Sequence, residues 1–191
     1  MYNFGDCFLQ EGVPFDPTIS SVGPITTPEA LYLGRVYFVF VNGLMRRVRI
    51  VKNTHSVPLT YGQVCVYSTA AGRWRKDVVL STSDTDAPAG VVEDTYTAGV
   101  PVGYWFRLVE FAEDHWVWLG TTNSARYTIA NGGIIVSSSD DGYVWGQNSA
   151  ASNAAVQNRV GFLKQAVTNQ TDNLVATRVK AEINILLGSA L

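Results

Sequence analysis

One stretch of this chain occurs twice, and this repeat constrains the fold more than any other feature. Residues 59–80 read LTYGQVCVYSTAAGRWRKDVVL, and residues 129–149 read IANGGIIVSSSDDGYVWGQNS. An offset of 70 positions pairs Gly62 with Gly132, Val66 with Val136, Ser68 with Ser138 and Gly72 with Gly142. An offset of 71 pairs Trp74 with Trp145 and residues 89–92 with residues 160–163. Short apolar runs between glycine turns are typical of strands, so we predict two similar β-units.

The segments that follow the two copies also resemble each other. Residues 102–111 and 174–187 both alternate apolar with polar side chains, which is typical of half-solvated antiparallel strands. Each comes after a run of the form small-Gly-apolar-apolar and a loop. We therefore extend the repeat units to residues 59–111 and 129–187.

Two turns are predicted from local chemistry. Asn42-Gly43 lies between apolar runs in residues 35–51 and supplies the two positive-φ residues of a type I′ hairpin. The segment 112–114, Ala-Glu-Asp, is predicted to form a second, acidic turn, which joins a strand at 102–111 to a return strand at 115–119.

The fold class predicted from these signals is all-β, an antiparallel β-sandwich or barrel built from two similar β-units, with an extended N-terminal arm. Helical signals are confined to residues 150–156. We divide the chain into an arm at 1–30, a basic hairpin at 31–58 and a β-body at 59–191. The arm is rich in residues that prevent helices and central strands, namely Pro14, Pro17, Pro24 and Pro28.

Composition indicates contacts with partners. Charged residues make up 16% of the chain, against about 25% in an average soluble domain. The net charge of −2 argues against nucleic-acid or membrane-surface binding. Basic residues concentrate in 31–52 and acidic residues in 77–115, which fits either two solvated faces or complementary patches between copies or with a partner. We find no export signal and no apolar run of about 18 residues, so no membrane segment is expected.

Catalytic motifs are absent from the sequence, and no cofactor is predicted. His115 follows two acidic residues and is interpreted as a turn histidine, because neighbours on a strand point to opposite faces. Cys65 lies in an apolar strand and is interpreted as a core residue, whereas the role of Cys7 stays open. Asp84 with Asp86, and Asp140 with Asp141, could supply oxygen ligands for calcium. The second pair precedes Gly142 and is interpreted as a hairpin turn that needs no metal.

Two other kinds of site stay open. Glu93, Glu110 and Asp114 could converge in space as the carboxylates of a glycosidase, although nothing in their spacing favours it. Trp116 and Trp118 lie two residues apart and therefore share a strand face, with Trp105 placed on a pairing strand. Such a row of rings is core, subunit interface or a sugar-stacking surface.

The pattern Leu-x-x-Gly-x-Val-x-Val-Tyr…Gly-x-Trp…Ala-Gly-Val-Val at residues 59–92 resembles the β-rich decoration, or cement, proteins of tailed-phage capsids. The resemblance extends over the two repeat units, and the arm and the hairpin at 31–52 do not match it. It implies an accessory virion protein, made in the host cytoplasm and bound to the outside of the major capsid protein lattice, often as a trimer. It implies no catalytic residues and no cofactor.

Three groups of residues are predicted to contact partners in such an assembly. They are the arm aromatics Tyr2, Phe4, Phe8 and Phe15, the hairpin arginines Arg46, Arg47 and Arg49, and the tryptophans Trp116 and Trp118. The main alternative is a glycan-binding head-fibre or tail-associated adhesin module that uses the tryptophans. An enzyme of the glycosidase class is the third hypothesis.

Overall fold

The computed structural model describes residues 7–9, 22–24, 33–70, 75–93, 98–120, 129–139, 141–146, 158–167 and 177–185. This part of the chain contains twelve strands and no helix, so the all-β class is confirmed. The strands are β1 (Cys7–Leu9), β2 (Val22–Pro24), β3 (Val36–Val41), β4 (Leu44–Asn53), β5 (Val64–Tyr67), β6 (Asp77–Leu80), β7 (Gly90–Val92), β8 (Tyr104–Leu119), β9 (Ile134–Ser137), β10 (Val144–Gly146), β11 (Arg159–Leu163) and β12 (Thr177–Asn184). The helical signal at 150–156 lies outside the described residues.

The predicted hairpin is confirmed as β3 and β4. Asn42 and Gly43 have φ angles of 52° and 78°, as a type I′ turn requires. Of the arm, only β1 and β2 are described. β1 pairs antiparallel with β3, and β2 pairs antiparallel with the start of β8, so both arm strands lie along the body.

The strand pairings close into two circuits. In the first circuit, hydrogen-bonded neighbours run β4–β6–β5–β7–β8 and back to β4. In the second circuit they run β8–β10–β9–β11–β12 and back to β8. The sheet is mixed, not purely antiparallel, because β4–β6 and β8–β10 are parallel pairs. β8 belongs to both circuits, with residues 104–111 in the first and residues 112–119 in the second.

The predicted turn at 112–114 is wrong, because β8 runs without a break through these residues. Ala112 is buried and pairs with both β4 and β12, so the chain stays extended there. The acidic residues form irregularities in the strand instead. Glu110 is the extra residue between the pairs formed by Phe111 and Val109, and Glu113 and Asp114 lie opposite a register shift in β12.

The two circuits repeat the same topology. β4 corresponds to the second half of β8, β5 to β9, β6 to β10, β7 to β11, and the first half of β8 to β12. The turn hydrogen bonds recur as well: Gly62 N–H donates to Val92 C=O at 2.8 Å, and Gly132 N–H donates to Leu163 C=O at 2.7 Å. Each unit therefore includes one more strand at its start than the sequence repeat indicates.

The pairing of Trp74 with Trp145 is wrong. Trp145 faces Val136 across β9 and β10, and the residue that faces the equivalent Val66 is Val79. Trp74 itself lies outside the described residues. The connection from β5 to β6 is longer than that from β9 to β10, so a constant offset cannot hold across it.

Gly90 and Gly161 are equivalent, as the sequence repeat predicts, and both are required by close strand packing. A Cβ on Gly90 would lie 2.8 Å from the carbonyl oxygen of Val109, and a Cβ on Gly161 would overlap that of Glu182. Both glycines thus allow the fourth strand of their unit, β7 or β11, to approach the last strand.

Each circuit has an apolar interior, and the two interiors match position by position. The first contains Val51, Leu59, Cys65, Val78, Val92, Phe106 and Leu108; the second contains Val117, Ile129, Ile135, Val144, Leu163, Val179 and Ala181. The predicted alternation of the last strand is confirmed, since Val179, Ala181 and Ile183 are buried. Cys65 is buried as predicted, and burial raises the pKa of its thiol. The described residues include no helix that is long and apolar enough to cross a membrane.

Candidate interaction surface

The second half of β8 turns two tryptophans towards one face. Trp116 and Trp118 are half-buried, while the side chains between and beside them are buried, namely His115, Val117 and Leu119. The shared face is therefore confirmed. Trp105 was expected on a pairing strand, but it lies on β8 itself and is only 4% exposed.

Cations from β12 lie over both rings. Lys180 pairs across the strands with Trp116, and its Nζ lies 4.6 Å from the centroid of that ring. The same Nζ lies 2.7 Å from Asp114 Oδ2, so a carboxylate on β8 helps to hold the ammonium in place. Cross-strand pairs of this kind fix side chains relative to each other.

Arg178 is held by two aromatic rings. Its guanidinium carbon lies 5.0 Å from the ring centroid of Tyr61 and 5.4 Å from that of Trp118. Trp118 Nε1–H donates to the Tyr61 carbonyl at 2.9 Å, and the Tyr143 ring stacks on Trp118 at a centroid distance of 6.1 Å. We name the six residues of this surface the aromatic–cationic face: Tyr61, Trp116, Trp118, Tyr143, Arg178 and Lys180.

Glycine turns bring the tyrosines to the face. Gly62 has a φ of +79°, and a Cβ there would lie 2.9 Å from the Trp116 carbonyl oxygen. On the other side, Val64 N–H donates to the Gly142 carbonyl at 2.7 Å, which ties the turn before Tyr143 to the first unit. Residues of both units thus build the face.

The face carries positive charge. Arg178 is exposed, and no acidic side chain among the described residues lies within ion-pair distance of it. Since the guanidinium is already positioned by the rings, its fork of N–H donors is available to an anionic group without reorganisation.

The hairpin arginines form ion pairs inside the chain. Glu110 Oε1 lies 2.5 Å from Arg49 Nε, and Glu110 Oε2 lies 3.1 Å from Arg47 Nε. Glu93 Oε1 lies 3.6 Å from Arg46 Nη1, and Glu93 Oε2 lies 2.5 Å from Arg107 Nε. The basic and acidic segments therefore complement each other within one molecule, and a partner contact through these arginines stays a prediction.

Burial also affects a tyrosine beside these ion pairs. Tyr67 donates its hydroxyl to Glu110 Oε1 at 3.2 Å. Burial raises the pKa of Tyr67, and the Glu110 carboxylate adds to that effect. The phenol thus stays protonated as a donor to the carboxylate.

The arm aromatics are placed only in part. Phe8 lies in β1, where its backbone pairs with Phe38. Tyr2, Phe4 and Phe15 lie outside the described residues. Partner contacts by these four residues stay predictions.

His115 and Asp86, which were considered for catalysis and for metal binding, form local hydrogen bonds with the backbone. His115 is not in a turn: it is buried in β8, and its Nδ1–H donates to the Trp116 carbonyl at 2.8 Å. Asp86 Oδ2 accepts the backbone N–H groups of Thr82 and Ser83 and so closes a loop. Within the described ranges, no three His, Cys, Asp or Glu side chains come together as a metal site.

Comparisons with known proteins include a similar solved structure. No family model and no curated protein matches the chain. The chain is similar to the crystal structure of the head fiber gp8.5 N base of bacteriophage phi29, with 12% sequence identity and a TM-score of 0.45, covering 72% of this chain and 92% of that chain. At this level of similarity, neither the fold nor the function of one protein follows from the other.

Proposed function

We propose that this chain is a non-enzymatic structural protein of a bacteriophage virion, which binds and stabilises the capsid lattice. The resemblance of residues 59–92 to phage decoration proteins supports this class. The observation that carries the proposal is the aromatic–cationic face, where exposed Arg178 rests on the rings of Tyr61 and Trp118. The proposed partners are the major capsid protein and further copies of the chain, as a trimer on the capsid surface.

The face has the composition of a protein interface. Trp, Tyr and Arg are the residue types that most often dominate binding energy at such interfaces. Here Arg178 and Lys180 are held by rings and by Asp114, so few rotamers are lost on binding. A pre-positioned surface of this kind suits a protein that must hold a lattice together.

The alternative is a glycan-binding head-fibre or tail-associated adhesin module, which the row of Trp116 and Trp118 favours. A neutral sugar stacks on a free ring face. Lys180 and Arg178 already lie over one face of these rings, so stacking there requires the cations to move. This arrangement favours a protein partner over a neutral glycan.

Co-sedimentation with empty capsids of the phage that encodes the chain tests the proposal. We expect the wild type to sediment with the capsids and Trp116→Gln to bind about tenfold more weakly, as for the loss of an interface anchor. Lys76→Gln is the control, because Lys76 is exposed and belongs to the first unit. Absence of wild-type binding contradicts the proposal, and binding to an oligosaccharide instead supports the adhesin alternative.

A further inference from the structure

In the first unit an additional strand pairs with one position of the last strand, whereas no strand of the described residues pairs with the equivalent position in the second unit. In the first unit, β2 lies beside β8, with Gly23 opposite Trp105. Trp105 faces Lys52 on its other side, and in the second unit Arg178 faces Trp118. β4 of the first unit corresponds to the second half of β8 in the second unit, so Lys52 is equivalent to Trp118. Their cross-strand partners, Trp105 and Arg178, are therefore equivalent as well.

The direction of the backbone groups is the same at both places. Lys52 N–H donates to the Lys76 carbonyl at 2.8 Å, away from β8, so the N–H and C=O of Trp105 point away from β4, towards β2. Likewise, Trp118 N–H donates to the Gly62 carbonyl at 3.3 Å, away from β12. The N–H and C=O of Arg178 therefore point away from β8, towards the outer edge of β12.

No described strand occupies that edge. β11 pairs with β12 only at residues 181–183, and it leaves the edge where Lys164 N–H donates to the Lys180 carbonyl at 3.0 Å. Residues 177–179 thus present an edge to which, among the described residues, nothing is paired. The equivalent edge at Trp105 shows that this geometry accepts an antiparallel strand.

We propose that the edge at residues 177–179 accepts an extended segment of the capsid partner, which pairs with it as β2 pairs with β8. This inference rests on the proposed function. It adds a backbone contact to the side-chain contacts of the aromatic–cationic face, since Arg178 belongs to both.

The proposed occupant belongs to a different protein. Each chain has one β2, and that strand already pairs with β8, so a second copy in the same conformation has no β2 to give. The edge is also lined by cations, since Arg178 and Lys164 are exposed and Lys180 is half-buried. A segment that carries Asp or Glu matches this charge.

Two substitutions at one position separate backbone pairing from side-chain contact. Arg178→Ala removes the guanidinium and keeps the N–H, whereas Arg178→Pro removes both. Because this N–H points away from β8, proline leaves the ladder between β8 and β12 intact. We expect Arg178→Pro to bind empty capsids about tenfold more weakly than Arg178→Ala, the effect of leaving one backbone acceptor without its donor.

The other results overturn the inference in distinguishable ways. If both variants bind capsids equally weakly, the contact is made by the Arg178 guanidinium alone. If both bind as tightly as the wild type, the capsid does not contact this edge. A changed oligomer mass for Arg178→Pro with unchanged capsid binding assigns the edge to another copy. If the wild type does not bind capsids, the proposed function itself fails.

Hydrogen exchange provides a test that does not depend on how the proline variant folds. The Arg178 amide of the wild type is expected to exchange rapidly in the free protein and slowly in the complex with capsids. The neighbouring Val179 amide faces β8 and is expected to be protected in both states. An Arg178 amide that still exchanges rapidly in the complex contradicts the inference.

Discussion

Arg49 and Glu110 form a buried ion pair, with Arg49 Nε 2.5 Å from Glu110 Oε1 and the side chains 6% and 1% exposed. Glu110 is the extra residue of a bulge in β8, and its carboxylate also receives Arg47 and the hydroxyl of Tyr67. One carboxylate thus accepts hydrogen bonds from Arg49 and Tyr67 at Oε1 and forms an ion pair with Arg47 at Oε2. The bulge interrupts the backbone pairing of β4 with β8, but the Glu110 side chain links the two strands there through Arg47 and Arg49.

Glu110→Gln is expected to lower the free energy of unfolding by about 3–5 kcal/mol, because it leaves Arg49 buried without its counter-charge. Urea denaturation followed by circular dichroism measures the change. Glu113→Gln is the matched control on the same strand, where the exposed side chain predicts a change within about 0.5 kcal/mol. A loss below about 1 kcal/mol for Glu110→Gln would show that the pair contributes little.

Gly161→Ala is expected to destabilise the protein by about 3 kcal/mol, since its Cβ has no room beside the Glu182 carbonyl. Gly132→Ala is the contrasting variant. Gly132 has a φ of +79° but nothing within 4 Å of its Cβ position, so only the backbone strain of about 1 kcal/mol is expected. Thermal unfolding ranks the two, and equal losses would contradict the close approach of β11 and β12.

The free energy of unfolding is expected to fall as the pH rises above about 9. Burial raises the pKa of Cys65 and Tyr67 above their ordinary values of 9.0 and 10.0. In alkali the unfolded chain therefore releases protons that the folded chain retains, which favours unfolding. Urea titrations at about pH 7 and about pH 10 measure the slope. The double variant Cys65→Ala/Tyr67→Phe should lose less free energy of unfolding between these two pH values than the wild type. An equal loss would mean that other groups cause the pH dependence.

Trp116 and Trp118 are expected to contribute to the tryptophan fluorescence that acrylamide quenches, because both indoles are half-exposed. Replacing both with Phe should reduce the quenchable fraction. Trp105→Phe serves as the control, since Trp105 is 4% exposed and its loss should leave that fraction almost unchanged. The opposite ranking would mean that another chain segment or a second copy covers the face.

Much of the fold could be predicted because turns and strand alternation are local. The Asn42-Gly43 hairpin, the repeated Gly62 and Gly132 turns and the burial pattern of β12 all follow from residues next to each other in the chain. The continuity of β8 could not be predicted in this way. Residues 112–114 are polar enough for a turn, but Ala112 stays extended because β4 and β12 cover it from both sides.

The candidate site was predicted only in part for a related reason. The shared face of Trp116 and Trp118 follows from their spacing on one strand. Arg178 and Lys180 were visible only as polar residues of another strand, because the register that places them over the rings joins segments far apart in sequence. The ion pair of Arg49 with Glu110 was hidden for the same reason, so the hairpin appeared free to bind partners.

The shared strand has a consequence for how the molecule folds. Because β8 runs without a break from the last strand of one circuit into the first strand of the other, and Ala112 pairs with both β4 and β12, opening one circuit releases strand pairing at the start of the other. The chain is therefore expected to unfold in a single cooperative transition rather than as two separately melting halves. We therefore expect limited proteolysis of the chain to give no pair of stable fragments that corresponds to the two repeat units.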